Sequence, residues 1–142
     1  MLFEGRLERV PPSREQADFL IRQARQHLQA ATAIAKLDPP GGYQLAYDAA
    51  RKSLTAVLEN QGLRPTHTGG HVVVYEALRA QLDPPLGAVI TPFNRMRRTR
   101  NESEYPRLDR PGLHEDDVRE VLPKVEALID LAERILDQMD VF

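Results

Sequence analysis

From Val118 to Met139 the residues Val118, Val121, Leu122, Val125, Leu128, Ile129, Ala132, Ile135, Leu136 and Met139 place an apolar side chain every third or fourth position. That period belongs to an α-helix and not to a strand, whose successive side chains alternate between two faces. A helix from about His114 to Met139 exposes an apolar stripe along its full length and cannot bury it alone. The chain must therefore supply other long helices to pack against it. Glu115, Asp116 and Asp117 favour the start of this helix, where the helix dipole is positive. Pro123 interrupts the pattern and predicts a kink, or two abutting helices with the proline in the first turn of the second.

The partner helices are marked out by proline breaks. Ser13 with Gln16 three residues on matches a capping box, and Ala17, Leu20, Ile21, Ala24, Leu28, Ala31 and Ala35 keep helical spacing to Leu37. Asp38-Pro39-Pro40-Gly41-Gly42 reads as the stop of that helix and the turn of a helical hairpin. A second helix is expected from about Tyr43 to Gln61, with Tyr43, Tyr47, Ala50, Leu54, Val57 and Leu58 on one stripe and Gly62 as the left-handed residue that closes it. A third runs from His71 or Val72 to about Leu82. Leu86 to Ile90 has room for a short helical turn only, and Thr91-Pro92 reads as the cap and first residue of a fourth helix, ending near Glu104 before Pro106. No strand-like alternation, repeat or low-complexity segment is evident. The expected fold is all-α: a four- to five-helix up-and-down bundle with a long kinked C-terminal helix. Residues 1–12 form a lead-in of limited structure and 13–142 a single domain.

A chain of 142 residues suits one domain, burying about two-thirds of its unfolded surface. Its 42% hydrophobic and 28% charged residues are those of an ordinary globular protein, and no apolar run approaches the ~18 residues of a membrane span. The first residues lack the apolar core of a signal peptide, and no cysteine is present for disulfides or thiolate metal sites, so a cytoplasmic setting away from membranes is expected. The net charge of −2 is unevenly spread. From His114 onward nine acidic residues face three basic ones, leaving 16 basic and 12 acidic residues before it.

The basic excess centres on Arg95, Arg97, Arg98 and Arg100, four guanidiniums within six residues that can bind anions through many hydrogen bonds. Helix phase separates them. Phe93, Met96 and Arg100 share the buried side, Arg97, Asn101 and Glu104 the adjoining face, and Arg95, Arg98 and Glu102 point outward. An arginine beside a buried face must be paired or meet a partner surface, because it does not shed its proton to escape desolvation. His67 and His71, with Asp48 as a third group, bring metal ligand types together, but Thr68-Gly69-Gly70 breaks the spacing a helix would give the histidines, and neither a metal nor a cofactor is expected. Gly69-Gly70 reads as a turn rather than a phosphate cradle. Gly-Lys-Ser/Thr, Gly-x-Ser-x-Gly and His-Glu-x-x-His motifs are absent.

Arg100-Asn101-x-x-x-Tyr105, at the end of a helix in a small all-α bundle, resembles the HEPN superfamily, whose hallmark is Arg-Asn-x-x-x-His. Together with Tyr47-Asp48-Ala49-Ala50-Arg51-Lys52, Gly62-Leu63-Arg64-Pro65-Thr66, Gly70-His71 and Arg97-Arg98-x-Arg100-Asn101-x-x-Glu104-Tyr105, it looks like a bacterial branch of short stand-alone HEPN proteins, over residues 15–138. The resemblance implies a bundle that dimerises through the motif helix. In catalytic members two copies of the arginine and histidine face each other and cleave RNA without a metal. Many members are toxins paired with a nucleotidyltransferase antitoxin, and others bind RNA or a partner without catalysis.

Tyr105 stands where the motif histidine is expected, and a phenol with an ordinary pKa near 10 is a poor general base at neutral pH. Two readings remain open on the sequence alone. In the first, Arg97, Arg100, Asn101, Glu104 and Tyr105, with His71 and Asp48 as further binding groups, form a polar cluster at a homodimer cleft that binds RNA, a nucleotide or a protein without ordinary HEPN cleavage. In the second, the protein is a divergent metal-independent ribonuclease toxin using Arg100 with Tyr105 or His71. A buried Arg100–Glu104 ion pair that merely fixes helix register is the third, blander alternative.

Overall fold

Asp38 begins a helix rather than ending one. In the computed structural model, which describes residues 5–66, 70–82, 87–103, 105–109 and 112–138 but not the side chains of His71 and Leu82, the first helix α1 spans Arg14–Ile34 and the second, α2, spans Pro39–Asn60. The Asp38 carboxylate accepts the Gly41 amide at 3.1 Å, and Pro39 and Pro40 occupy first-turn positions where a missing N–H costs nothing. The run expected as a stop is thus the cap and first turn of α2. Ser13 caps α1 as expected, accepting the Gln16 amide at 3.0 Å.

Two short strands, β1 (Leu7–Arg9) and β2 (Leu63–Pro65), pair antiparallel, with Glu8 opposite Arg64. Neither was expected, since three residues are too few to display alternation. They bind the segment ahead of Ser13 to the bundle, and Leu7 is buried in the core. Gly62 makes the approach feasible. It sits at φ +82°, closes α2 as expected, and a Cβ there would lie 2.8 Å from the Val10 carbonyl oxygen.

Three further helices complete the described residues: α3 (Gly70–Leu82), α4 (Gly87–Ser103) and α5 (Glu115–Gln138). The fourth starts a turn and a half earlier than Thr91-Pro92 suggested. Pro92 lies inside it, where it denies a hydrogen bond only to the carbonyl of the exposed Ala88, and the Thr91 hydroxyl donates to the Gly87 carbonyl at 2.8 Å instead of capping. Likewise α5 passes through Pro123 as one helix, with that proline on the exposed side.

The centre of the fold is α2, which packs on α1, α5, α4, α3 and β2. Its buried face is built from small residues, Ala46, Ala49, Ala50, Ser53 and Ala56, so neighbouring backbones come close. At Gly42 an added Cβ would stand 3.4 Å from both the Ala35 Cα and a Val118 methyl, which marks the crossing of α1, α2 and α5. The result is the all-α bundle expected, with Tyr47, Phe93, Met96, Leu128, Ile129 and Leu136 among its fully buried side chains. Among the described residues no helix is long and apolar enough to cross a membrane.

Candidate anion-binding site on helices two and four

Phe93 seats α4 on α2. Its ring stacks on Tyr47 with centroids 5.2 Å apart and an interplanar angle of 14°, and on Tyr75 of α3 at 6.3 Å. With Phe93 and Met96 both buried, the helical period carries Arg97, Arg100 and Asn101 to the edge of the α2–α4 contact, half-buried, while Arg95, Arg98 and Glu102 are exposed. The helix-phase expectation for these residues agrees with the structure.

The Arg100 guanidinium lies over the Tyr47 ring, with its carbon 5.2 Å from the centroid. Its Nε donates to the Gln44 side-chain carbonyl at 3.0 Å and its Nη1 to the Asn101 side-chain Oδ1 at 2.8 Å. The Gln44 amide in turn donates to Asp48 at 3.1 Å. Gln44 is therefore the bridge between the arginine helix and Asp48. One turn along, Arg51 approaches Asp48 only to 3.9 Å, and its buried Nε has no hydrogen-bond partner among the described residues. Arg97 is held on its own helix, its Nη2 donating to Asn94 at 3.1 Å.

These groups meet electrostatically at the Tyr47 hydroxyl. Burial pushes that phenol up to about 12; the guanidiniums of Arg100, Arg51 and Arg97 pull it back and Asp48 pushes it further up. Tyr47 thus stays a neutral hydroxyl at physiological pH. The groups acting there include three guanidiniums drawn from two helices, a gathering of cations suited to an anion.

Tyr105 occupies a different part of the surface. It is 77% exposed, and it lines a depression of about 160 Å³ with Pro40, Thr99, Glu102, Ser103 and Arg107. Arg97, Arg100 and Asn101 do not line it. Glu104 and His67, and the side chain of His71, fall outside the described residues. The structure thus brings Arg100, Asn101 and Asp48 into one hydrogen-bonded chain, sets Arg97 beside it, and places Tyr105 at another pocket. It adds Gln44, Tyr47 and Arg51, which sequence reasoning did not single out as site residues. The spacing Gln44, Asp48, Arg51 at i, i+4 and i+7 was the available signal, hidden because Tyr47 reads as ordinary core. Among the described residues no group of three or more histidines, cysteines or carboxylates is placed to hold a metal ion.

A HEPN domain model matches residues 17–135, most of the chain. The protein belongs to the HEPN family. The matched span runs from the buried face of α1 through the arginine helix into the last turns of α5, so this HEPN domain includes every residue of the patch around Tyr47. Comparison with curated proteins and with solved structures gives no match.

Proposed function

We propose that this HEPN protein is a homodimer that binds single-stranded RNA through its phosphates at the Arg51, Arg97 and Arg100 patch, without ordinary HEPN cleavage. The carrying observation is the convergence of these three guanidiniums, from two helices, around the Tyr47 hydroxyl. Arginine donates in a fork that matches phosphate oxygens, and the hydrogen bonds from Arg100 to Gln44 and Asn101 fix the direction of that fork in advance. The half-buried setting strengthens each contact relative to open water. Chemistry on RNA also needs a group to move the proton of the ribose 2′-hydroxyl. Tyr47 is held neutral under the guanidinium, and Tyr105 faces a pocket that Arg100 does not line, so neither supplies a base beside Arg100. Dimerisation through α4 would set two such patches side by side.

Fluorescence anisotropy with a labelled single-stranded RNA, over a salt series, tests the reading. Wild type should bind with a steep salt dependence, and Arg100→Ala should weaken binding and lower the slope by about one counterion. Sedimentation should give twice the chain mass. RNA cleavage by the wild type that disappears in Arg100→Ala would instead establish the ribonuclease reading.

A further inference from the structure

Where α2 meets α1, two nominally basic groups touch. The Lys52 ammonium nitrogen lies 2.8 Å from His27 Nε2 of α1. A hydrogen bond at that distance needs a lone pair on one partner. Ammonium has none to offer, so His27 is the neutral acceptor with its proton on Nδ1. The ammonium proton is thereby aimed at a base.

The surroundings favour loss of that proton. Burial lowers the pKa of both groups; the charge of Lys52 lowers His27 further, and that of Arg51 lowers Lys52 further, against the opposing pull of Asp48 on each. Neither side chain is sealed off, both being half-buried. Arg51, the neighbour of Lys52, is a half-buried cation whose charge acts on Lys52. Only three lysines occur in the chain, against sixteen arginines. Lys36 is exposed and Lys124 is paired with Glu120 at 3.4 Å.

We propose that Lys52 is a site of acylation by acyl phosphates, the mixed anhydrides of a carboxylic acid and a phosphate, with His27 as the proton acceptor. Lys52 passes a proton to His27 Nε2, and the freed amine lone pair attacks the carbonyl carbon. The bond from that carbon to the phosphate oxygen breaks, and the phosphate leaves with the electron pair and takes up the second amine proton. An amide and inorganic phosphate result, and His27 returns its proton to water. A desolvated lysine beside a further cation is a recognised form of activated nucleophile.

The test uses the purified full chain, acetyl phosphate near neutral pH, and peptide mass spectrometry to follow the three lysines together. Lys52 should acetylate several-fold faster than Lys36 and Lys124. In His27→Gln, whose amide oxygen still accepts from Lys52 but takes up no proton, the Lys52 rate should fall to that of the other two while theirs stay unchanged; a helical circular dichroism spectrum and cooperative melting like the wild type's show that the variant is folded. Equal or slower acetylation of Lys52 in the wild type would overturn the proposal, as would an undiminished Lys52 rate in His27→Gln.

Discussion

Two sets of arginines in this protein are built in opposite ways. Along the α1–α5 seam Arg14 pairs with Asp18 at 2.9 Å and Asp137 at 2.6 Å, while Arg25 reaches Asp130 at 2.9 Å and also Glu133, every one of these side chains a third or more exposed. Across the α2–α4 contact, Arg100 instead meets the amides of Gln44 and Asn101 and the face of Tyr47, and Arg97 meets Asn94. A carboxylate partner cancels a guanidinium's charge; an amide or a ring aims the guanidinium and leaves the charge standing. The acidic α5 therefore closes one set into surface ion pairs, whereas the described contacts of the other fix the direction of its guanidiniums.

The largest effect should come from removing the ring that seats the second set. Phe93→Ala leaves a cavity beneath Tyr47 and should cost about 3–5 kcal/mol in urea unfolding, and the RNA affinity should disappear with it. Next, Arg97→Ala and Arg100→Ala should each weaken RNA binding by about tenfold, a loss on the order of 1.4 kcal/mol per phosphate contact, with a much smaller change in stability. Equal losses of affinity from Arg14→Ala or Arg25→Ala would erase the distinction between the sets.

A pH series sharpens it. The folded pKa of Tyr47 is raised from 10.0 to about 12, so its protonated form stabilises the fold fully below pH 10, and that contribution is lost as pH climbs through 12. Tyr47→Phe should flatten the fall in stability over that window. The smallest effect is expected on the α1–α5 seam, where Arg25→Ala should lower stability by about 1 kcal/mol or less, more weakly still at high salt, with no change in RNA binding.

Much of the bundle was legible because periodicity is a local property. The stripe from Val118 to Leu136 is the buried face of α5, and Phe93 with Met96 correctly oriented the arginines of α4. The misreadings all concern proline and the chain ends of elements. Asp38-Pro39-Pro40 is compatible both with the end of one helix and with the start of the next, because a first-turn residue and a loop residue alike need no N–H. Pro92 was taken as a beginning although α4 carries it internally, one turn after the exposed Ala88, where water takes up the carbonyl that proline leaves bare. The β1–β2 pair joins segments more than fifty residues apart, a contact that no window of local pattern contains.

The sequence alone determined the helical class, the HEPN resemblance that the family match bears out, and the division of the arginine helix into inward and outward faces, since each depends on the order of side chains along one helix. Only the tertiary structure decided which groups those inward arginines meet. Gln44, Tyr47 and Asp48 come to Arg100 because α2 is the central helix and its small residues let its neighbours close on it. For the same reason Tyr105, five residues after Arg100, opens onto another pocket: the helix period has carried the chain around α4 before the loop begins.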